Sequence, residues 1–336
     1  MTKTIEQYIA DFLEWKQINR GRSPRTAQVY GLALARLGTF LAGQDPLTAT
    51  HDQLVLFSGK WLYDRGLRDP ASRRTHVSAV REFYRWLKGR GLLRENPAEH
   101  VAHARVGMRL PRVMPLAQAE QLMWAPDYST FEGVRDAAII ALLMGCGLRV
   151  SGLTSLNESN LQPAVVDGQQ RMTLRTIEKG GKERQVPIPT QADLLLRVYL
   201  QHPGLAEIDR TLPNGDKVLF VSTRSRHVPA HEYHGEARRL RRKGVLRMIQ
   251  TYGRRIGLPP EIAHPHALRH MFGTELAEDD VPTVTAANLM GHADPKNTAI
   301  YQHLAMRKLT RTLDKANPLA KMKTPVSDLL NSINKR

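Results

Sequence analysis

Over the first hundred positions apolar residues return every three or four places, in four bursts set apart by capping and breaking signals. Ile5, Tyr8, Ile9, Phe12 and Leu13 make the first stripe. Ser23 followed by Pro24 marks a helix start, and Tyr30, Leu34, Leu37 and Leu41 continue from it toward Gly43. Thr50 opens a third helix through Leu54, Phe57 and Trp61. Asp69 and Pro70 open a fourth through Val77, Val80, Tyr84 and Leu87, closed by Gly89 and Gly91. Four short amphipathic helices predict a compact bundle over 1–103. The periodicity lapses over 104–114, a basic, proline-punctuated stretch that reads as a linker. A second core is predicted over 115–315. It begins with a long apolar helix from about 131 to 146, stopped by Gly147, and continues with two β-prone runs, 171–177 and 184–188. These runs flank Glu178, Lys179, Gly180, Gly181 and Lys182, which predicts a hairpin with a basic tip. The apolar run 218–221 adds a short strand, and most of the remainder is helical. The fold class is therefore mainly α with a small β-sheet. A tail, 316–336, carries Leu329, Leu330 and Ile333 on one stripe after Pro325, predicting a helix over 326–333.

Charge narrows the choice of partner. Forty-nine Lys and Arg against thirty-two Asp and Glu give a formal +17, an excess suited to a polyanion bound by counterion release. Nucleic acid is the first partner to consider and an acidic membrane surface the competitor, but no apolar run approaches the ~18 residues that span a bilayer. No signal-peptide or lipidation pattern is read at the start, so a cytoplasmic protein is expected. Cys146, the single cysteine, rules out an intrachain disulfide framework and a cysteine-based zinc site, and suits core packing. Arg73, Arg74 and Arg81 give the fourth helix a basic side. With Lys182 on the hairpin and with Arg238 and Arg241 in the cluster at 238–243, they are candidate DNA contacts, the plainer alternative being a solvated face.

Candidate chemistry gathers in the second half. In His266-Ala267-Leu268-Arg269-His270 the first histidine and the arginine fall at i and i+3 of a helix begun by Pro265, so a proton carrier and a fixed cation share one face. His266 and His270, at i and i+4, are also candidate metal ligands, although the glutamate of HExxH is missing. His227, His231 and His234 form a second histidine-bearing segment, a further candidate for metal binding that reads more as a polar loop and is left unassigned. Downstream, Leu289-Met290-Gly291-His292 puts a histidine at a turn, and Asn297 to Tyr301 puts a tyrosine on the helix that follows; upstream, Arg149 follows a glycine-marked helix end. Each has an ordinary structural explanation alone. Together they supply what phosphodiester transfer without a metal requires: a nucleophile, cations around the nonbridging oxygens, and an acid for the leaving oxygen. No cofactor or metal is expected.

With GLRVSGL, IEKGGKERQVPI, HALRH, LMGH and NTAIYQH the chain resembles the tyrosine recombinases, the family of phage integrases and Xer proteins, over nearly its whole length. The resemblance implies that 1–103 is a core-DNA-binding domain and 115–315 the catalytic domain of a C-shaped clamp around DNA. It implies catalytic roles for Arg149, Lys179, His266, Arg269 and His292, with Tyr301 as the nucleophile forming a 3′-phosphotyrosyl link. The implied partner is a double-stranded recombination site, bound by a homotetramer in the synapse that assembles from protein monomeric in solution, with a second recombinase or accessory protein as a further partner. The implied role is integration, excision or resolution of a mobile element or replicon. No arm-binding domain is read before the first helix, which favours a simple Xer-like or transposon-associated enzyme. The tail helix is expected to dock on a neighbouring subunit, and segments 203–216 and 223–244 are expected additions to a minimal member. Gly152 departs from the pattern, standing where the family's GLRxxEL motif carries an acidic residue that supports the active-site cations. Asp136 and Glu158 are candidate substitutes by proximity in sequence, the alternative for each being a helix-surface carboxylate. The competing readings are a noncatalytic helix-turn-helix regulator over 284–304, a type IB topoisomerase and a metal-dependent nuclease.

Overall fold

The computed structural model describes residues 3–19, 24–107, 112–166, 168–177, 183–225, 227–291 and 296–316. Ser23, the hairpin tip with Lys179 and Lys182, His292 and the tail helix expected over 326–333 lie outside the described residues. The chain divides into two compact units, Met1–Arg109 and Leu110–Arg336.

In the first unit α1 (Ile5–Ile18), α2 (Pro24–Leu41), α3 (His51–Leu56) and α4 (Pro70–Gly89) follow the apolar stripes. Thr4 and Thr50 each begin a helix with a capping box, accepting from the backbone of Gln7 and Gln53 while those side chains accept in return. Asp69 caps α4 by accepting from Ser72 N at 2.9 Å. The third helix does not run regularly to Trp61. Ser58 Oγ donates to the Leu54 carbonyl at 2.7 Å, competing with the helical ladder, and Phe57–Trp61 forms a wider π turn. That turn presents both Phe57 and Trp61 to Phe40, with centroids 5.5 and 5.6 Å away. Phe12, Leu34, Leu37, Val80, Phe83 and Leu87 fill the core of the bundle. Lys16 is buried within it, its ammonium 4.2 Å from the Tyr30 ring and paired with Glu82.

In the second unit α5 (Leu116–Trp124) leads to α6 (Phe131–Gly145), which is apolar on nearly every side and buried along most of its length, so it forms the centre of the core. Gly147 then reverses the chain at φ +56°, where a Cβ would collide with the Phe272 ring, and α7 (Val150–Thr154) follows. The sheet holds three antiparallel strands in sequence order, β1 (Leu161–Val166), β2 (Gln169–Ile177) and β3 (Glu183–Pro187). Leu174 pairs with Leu161 on one side and Val186 on the other. Strand β1 escapes the periodicity because Pro163 interrupts it, which an edge strand tolerates. The run 218–221 is not a sheet strand. It passes through the core with only isolated bridges, and side chains take three of its carbonyls: Arg210 donates to Val218 O at 2.8 Å, Tyr199 to Leu219 O at 2.9 Å and Arg135 to Val221 O at 2.9 Å, while the backbone N–H of Leu240 donates to Phe220 O at 2.9 Å. The longer helices that follow among the described residues are α8 (Thr190–Leu200), α9 (Arg242–Arg255), α10 (Pro265–Glu278), α11 (Thr283–Met290) and α12 (Met306–Ala316).

Candidate active site

Helix α11 ends at Gly291, which adopts the left-handed conformation at φ +63°. The last carbonyls of a helix have no partner within it and carry its negative partial charge. Here three successive carbonyls each receive a different arginine. Arg184 from β3 donates to Leu289 O, Arg269 from α10 donates to Met290 O at 2.5 Å, and Arg149, just ahead of α7, donates to Gly291 O at 3.3 and 3.4 Å. Arg269 also donates to Gly147 O, so its buried guanidinium ties the two glycine turns together. Residues far apart in the chain thus meet at one helix end.

Each of these arginines is held below the ordinary guanidinium range. Burial and then repulsion from Arg149 bring Arg269 down to about 9 and Arg184 to about 10, while Arg149 is lowered by burial. Cations this close repel one another, and a phosphate diester among them relieves that repulsion while offering oxygens to their planar donor forks. Asp136 and Glu158, the candidate substitutes for the missing carboxylate, are engaged elsewhere. Asp136 accepts from Arg135 at 2.7 and 2.9 Å and from Tyr252 OH at 2.9 Å; Glu158 accepts from Arg210 at 2.6 Å. Position 152 is buried, and a Cβ there would stand 3.0 Å from Thr176 Oγ1, so an acidic side chain enters only if its neighbours shift.

Tyr301 lies in the 3₁₀ turn Ile300–His303, not in a regular helix, and is buried with 3% of its surface exposed. Its ring rests on Gly273 of α10, where a Cβ would come within 2.7 Å of the ring carbons. Its hydroxyl is 3.1 Å from Nδ1 of His270. Burial raises the phenol above its ordinary range, while Arg269 and Arg149 pull it back down. Below this turn Glu278 accepts from the backbone N–H groups of Arg307 and Lys308 at 3.0 and 2.8 Å, capping α12 and anchoring the segment to α10. His266 stands partly exposed near the start of α10, its ring centroid 6.3 Å from that of His270, and is lowered by partial desolvation and by Arg269.

The structure therefore brings together Arg149, His266, Arg269 and Tyr301, and adds His270, Arg184 and Gly273. His270 was legible only as a metal ligand and Arg184 only as a strand residue. Cys146 is core, its thiol pushed up to about 12 by burial. His227, His231 and His234 are exposed. Of the candidate DNA contacts, Arg73 donates to Leu67 O and Arg68 O at 3.2 and 3.3 Å, Arg81 to Val101 O at 3.5 Å, and Arg238 lies 3.9 Å over the Tyr233 ring. Arg74 is exposed, and Arg241 pairs with Glu236 at 3.1 Å beside a basic recess lined by Arg239, Arg242 and Lys243.

Residues 112–308 match the model of the phage integrase family, and residues 9–91 match that of the phage integrase N-terminal SAM-like domain. The tyrosine recombinase XerD of Lacticaseibacillus casei is 30% identical over 310 residues, covering 92% of this chain and 98% of that protein. The tyrosine recombinase XerC of Proteus mirabilis is 30% identical over 324 residues, covering 95% and 96%. Among solved structures, the XerH site-specific recombinase bound to palindromic difH substrate superposes with a TM-score of 0.72 at 15% identity, covering 95% of this chain and 96% of that one. A lambda integrase dimer (residues 75–356) bound to a COC′ core site superposes at 0.62 and 17% identity, covering 87% and 96%. At these identities the superpositions speak to the fold.

Proposed function

The chain belongs to the phage integrase family and is a tyrosine-type site-specific recombinase, and from that premise we propose that Tyr301 cleaves and rejoins DNA strands through a 3′-phosphotyrosyl intermediate. The observation that carries this reading is one of geometry: the Tyr301 ring rests on Gly273 and its hydroxyl meets His270 on the same helix that supplies Arg269, whose guanidinium shares the end of α11 with Arg149. Family membership displaces the noncatalytic regulator.

In this account Tyr301 attacks the scissile phosphorus and the bond to the 5′ oxygen breaks. Arg149 and Arg269 neutralise charge growing on the nonbridging oxygens, His292 donates to one of them, and Lys179 protonates the departing 5′ oxygen. His266 assists proton transfer. Reversal on a partner strand conserves bond energy, so no nucleotide cofactor is required. The partner is a double-stranded recombination site, a reading supported by the relatives solved on difH and on a core site. Residues 1–103 bind the core of that site, 104–114 link them to the catalytic domain 115–315, and the tail 316–336 docks on a neighbour within a synaptic tetramer. The enzyme works in the cytoplasm on a mobile element or replicon.

Tyr301→Phe tests the assignment. DNA retention should persist while the denaturant-resistant protein–DNA adduct disappears; an adduct that survives the substitution contradicts it. Exchange between two plasmid-borne sites, rather than simple relaxation of one plasmid, separates recombination from topoisomerase action.

A further inference from the structure

The reaction as described gives His266 a part in proton transfer but names no direct acceptor for the phenolic proton, and His270 lies where that proton would go. Its Nδ1 stands 3.1 Å from the Tyr301 hydroxyl, with the ring centroids 6.0 Å apart. Both groups are positioned from α10: His270 projects from its second turn, and Gly273, three residues on, makes the hollow that receives the phenol ring. The spacing i and i+3 puts both on one face of the helix. Seat and acceptor are thus part of one rigid element.

We propose that His270 is a catalytic residue on the nucleophile side: its Nδ1 accepts the hydrogen bond of the Tyr301 hydroxyl, aims the oxygen, and takes the phenolic proton as attack proceeds. The Tyr301 oxygen bonds to phosphorus, the phosphorus–O5′ bond breaks, His270 becomes imidazolium, and the 5′ oxygen takes its proton from Lys179. On religation the proton returns from His270 to the departing phenol, while Lys179 recovers its own from the attacking 5′ hydroxyl. Nothing is oxidised or reduced.

The surroundings of His270 suit an acceptor. Among the described residues, His266 and His264 on the same helix end, Arg269 beside it and Tyr301 across from it are the titratable and charged groups that bear on the ring. Burial and then repulsion from His266, His264 and Arg269 press it down to about 4, so at neutral pH the imidazole is uncharged and, with its proton on Nε2, presents a lone pair at Nδ1. A strongly lowered base is a weak acceptor while the phenol is whole, but the phenol's acidity rises steeply as its oxygen gives electrons to phosphorus. A phosphate brought against Arg149 and Arg269 also offsets the positive charge that holds His270 down.

This inference rests on Tyr301 being the nucleophile, and the test keeps the two apart. The probe is a nicked duplex carrying the sequence that the full chain retains from a randomised library, so that the freed fragment cannot rejoin. Adduct formation is followed for the unaltered protein, Tyr301→Phe, His270→Ala, His270→Asn and Lys179→Ala, with DNA retention measured for each. His270→Ala should slow adduct formation by about 100-fold, the low end of general-base effects, with DNA retention unchanged. His270→Asn, which returns a neutral acceptor near the place of Nδ1, should recover part of the loss. Two chemical rescues separate the two ends of the reaction. Replacing Tyr301 with a fluorotyrosine, whose phenol is more acidic, should relieve the defect of His270→Ala and not that of Lys179→Ala. A 5′-phosphorothiolate duplex, with its better leaving group, should do the reverse. The proposal is overturned if His270→Ala stays within about threefold of the unaltered rate, well short of a general-base effect, or if its defect answers to the thiolate duplex and not to the fluorotyrosine. An adduct formed by Tyr301→Phe overturns the nucleophile instead.

Discussion

The arginine end of the site is built from backbone, and the tyrosine end from side chains. Arg184, Arg269 and Arg149 are held by the carbonyls of Leu289, Met290 and Gly291, groups that no ordinary substitution removes. Tyr301 is held by the His270 ring and by the missing side chain at Gly273, both removable by one codon. The difference teaches where the site is robust. A scaffold of helix-end carbonyls persists as long as α11 folds and Gly291 turns, so the cations do not depend on a carboxylate at position 152. The turn that carries the nucleophile is anchored through Glu278, but the ring and hydroxyl of Tyr301 meet positions that a substitution can change, Gly273 and His270.

The largest test of this contrast is Arg269→Lys. Lysine keeps the charge but not the planar fork that reaches Gly147 O and Met290 O together, so cleavage should fall by about 100- to 1000-fold, the cost of losing one preorganised donor to the transition state. Rates within tenfold of the original would mean that charge alone matters at this end. Next comes Asp136→Asn, which weakens the buried contacts with Arg135 and Tyr252. We expect stability to drop by about 2–3 kcal/mol in denaturant titration, with the cleavage rate of the folded protein unchanged; a selective loss of cleavage would return Asp136 to the site. Gly273→Ala should displace the Tyr301 ring, slowing cleavage about tenfold at a stability cost of about 1–2 kcal/mol from overpacking, while DNA retention stays the same. A further effect is on acid stability. The folded protein holds His270 at about 4, against an ordinary value of 6.5, so within that window the unfolded chain binds a proton that the folded one resists. Its contribution is complete above about pH 6.5 and is lost as pH falls toward 4. His270→Asn should therefore flatten the fall in stability across that window; an unchanged slope would show that His270 is not held neutral.

Much of the fold was legible because it follows periodicity. The stripes of α1, α2 and α4, the caps at Thr50 and Asp69 and the long apolar α6 all sit where pattern and capping place them. What escaped does so for physical reasons. Strand β1 hides behind Pro163, and 218–221 reads as a strand because it is apolar, although it makes only isolated bridges and side chains take most of its carbonyls. At the site, Arg149, His266, Arg269 and Tyr301 announce themselves by residue type and spacing. The support beneath them does not, because every residue carries a carbonyl and no letter marks the ones that will end a helix beside an arginine. Arg184 meets Leu289 across 105 positions, a contact that only the fold creates. His270 did carry a signal, four residues after His266 on the same helix face, but that spacing suggested a metal ligand until the turn bearing Tyr301 was seen to close on it.

The most direct test of the account is to locate the covalent bond itself. Adduct trapped on the nicked duplex is digested with protease and nuclease, and the peptide that carries the residual nucleotide is sequenced by mass spectrometry. The added mass is expected on Tyr301, joined through a 3′ phosphate. A nucleotide found on Tyr252, on Tyr199 or on a serine, or one joined through a 5′ phosphate, would contradict it.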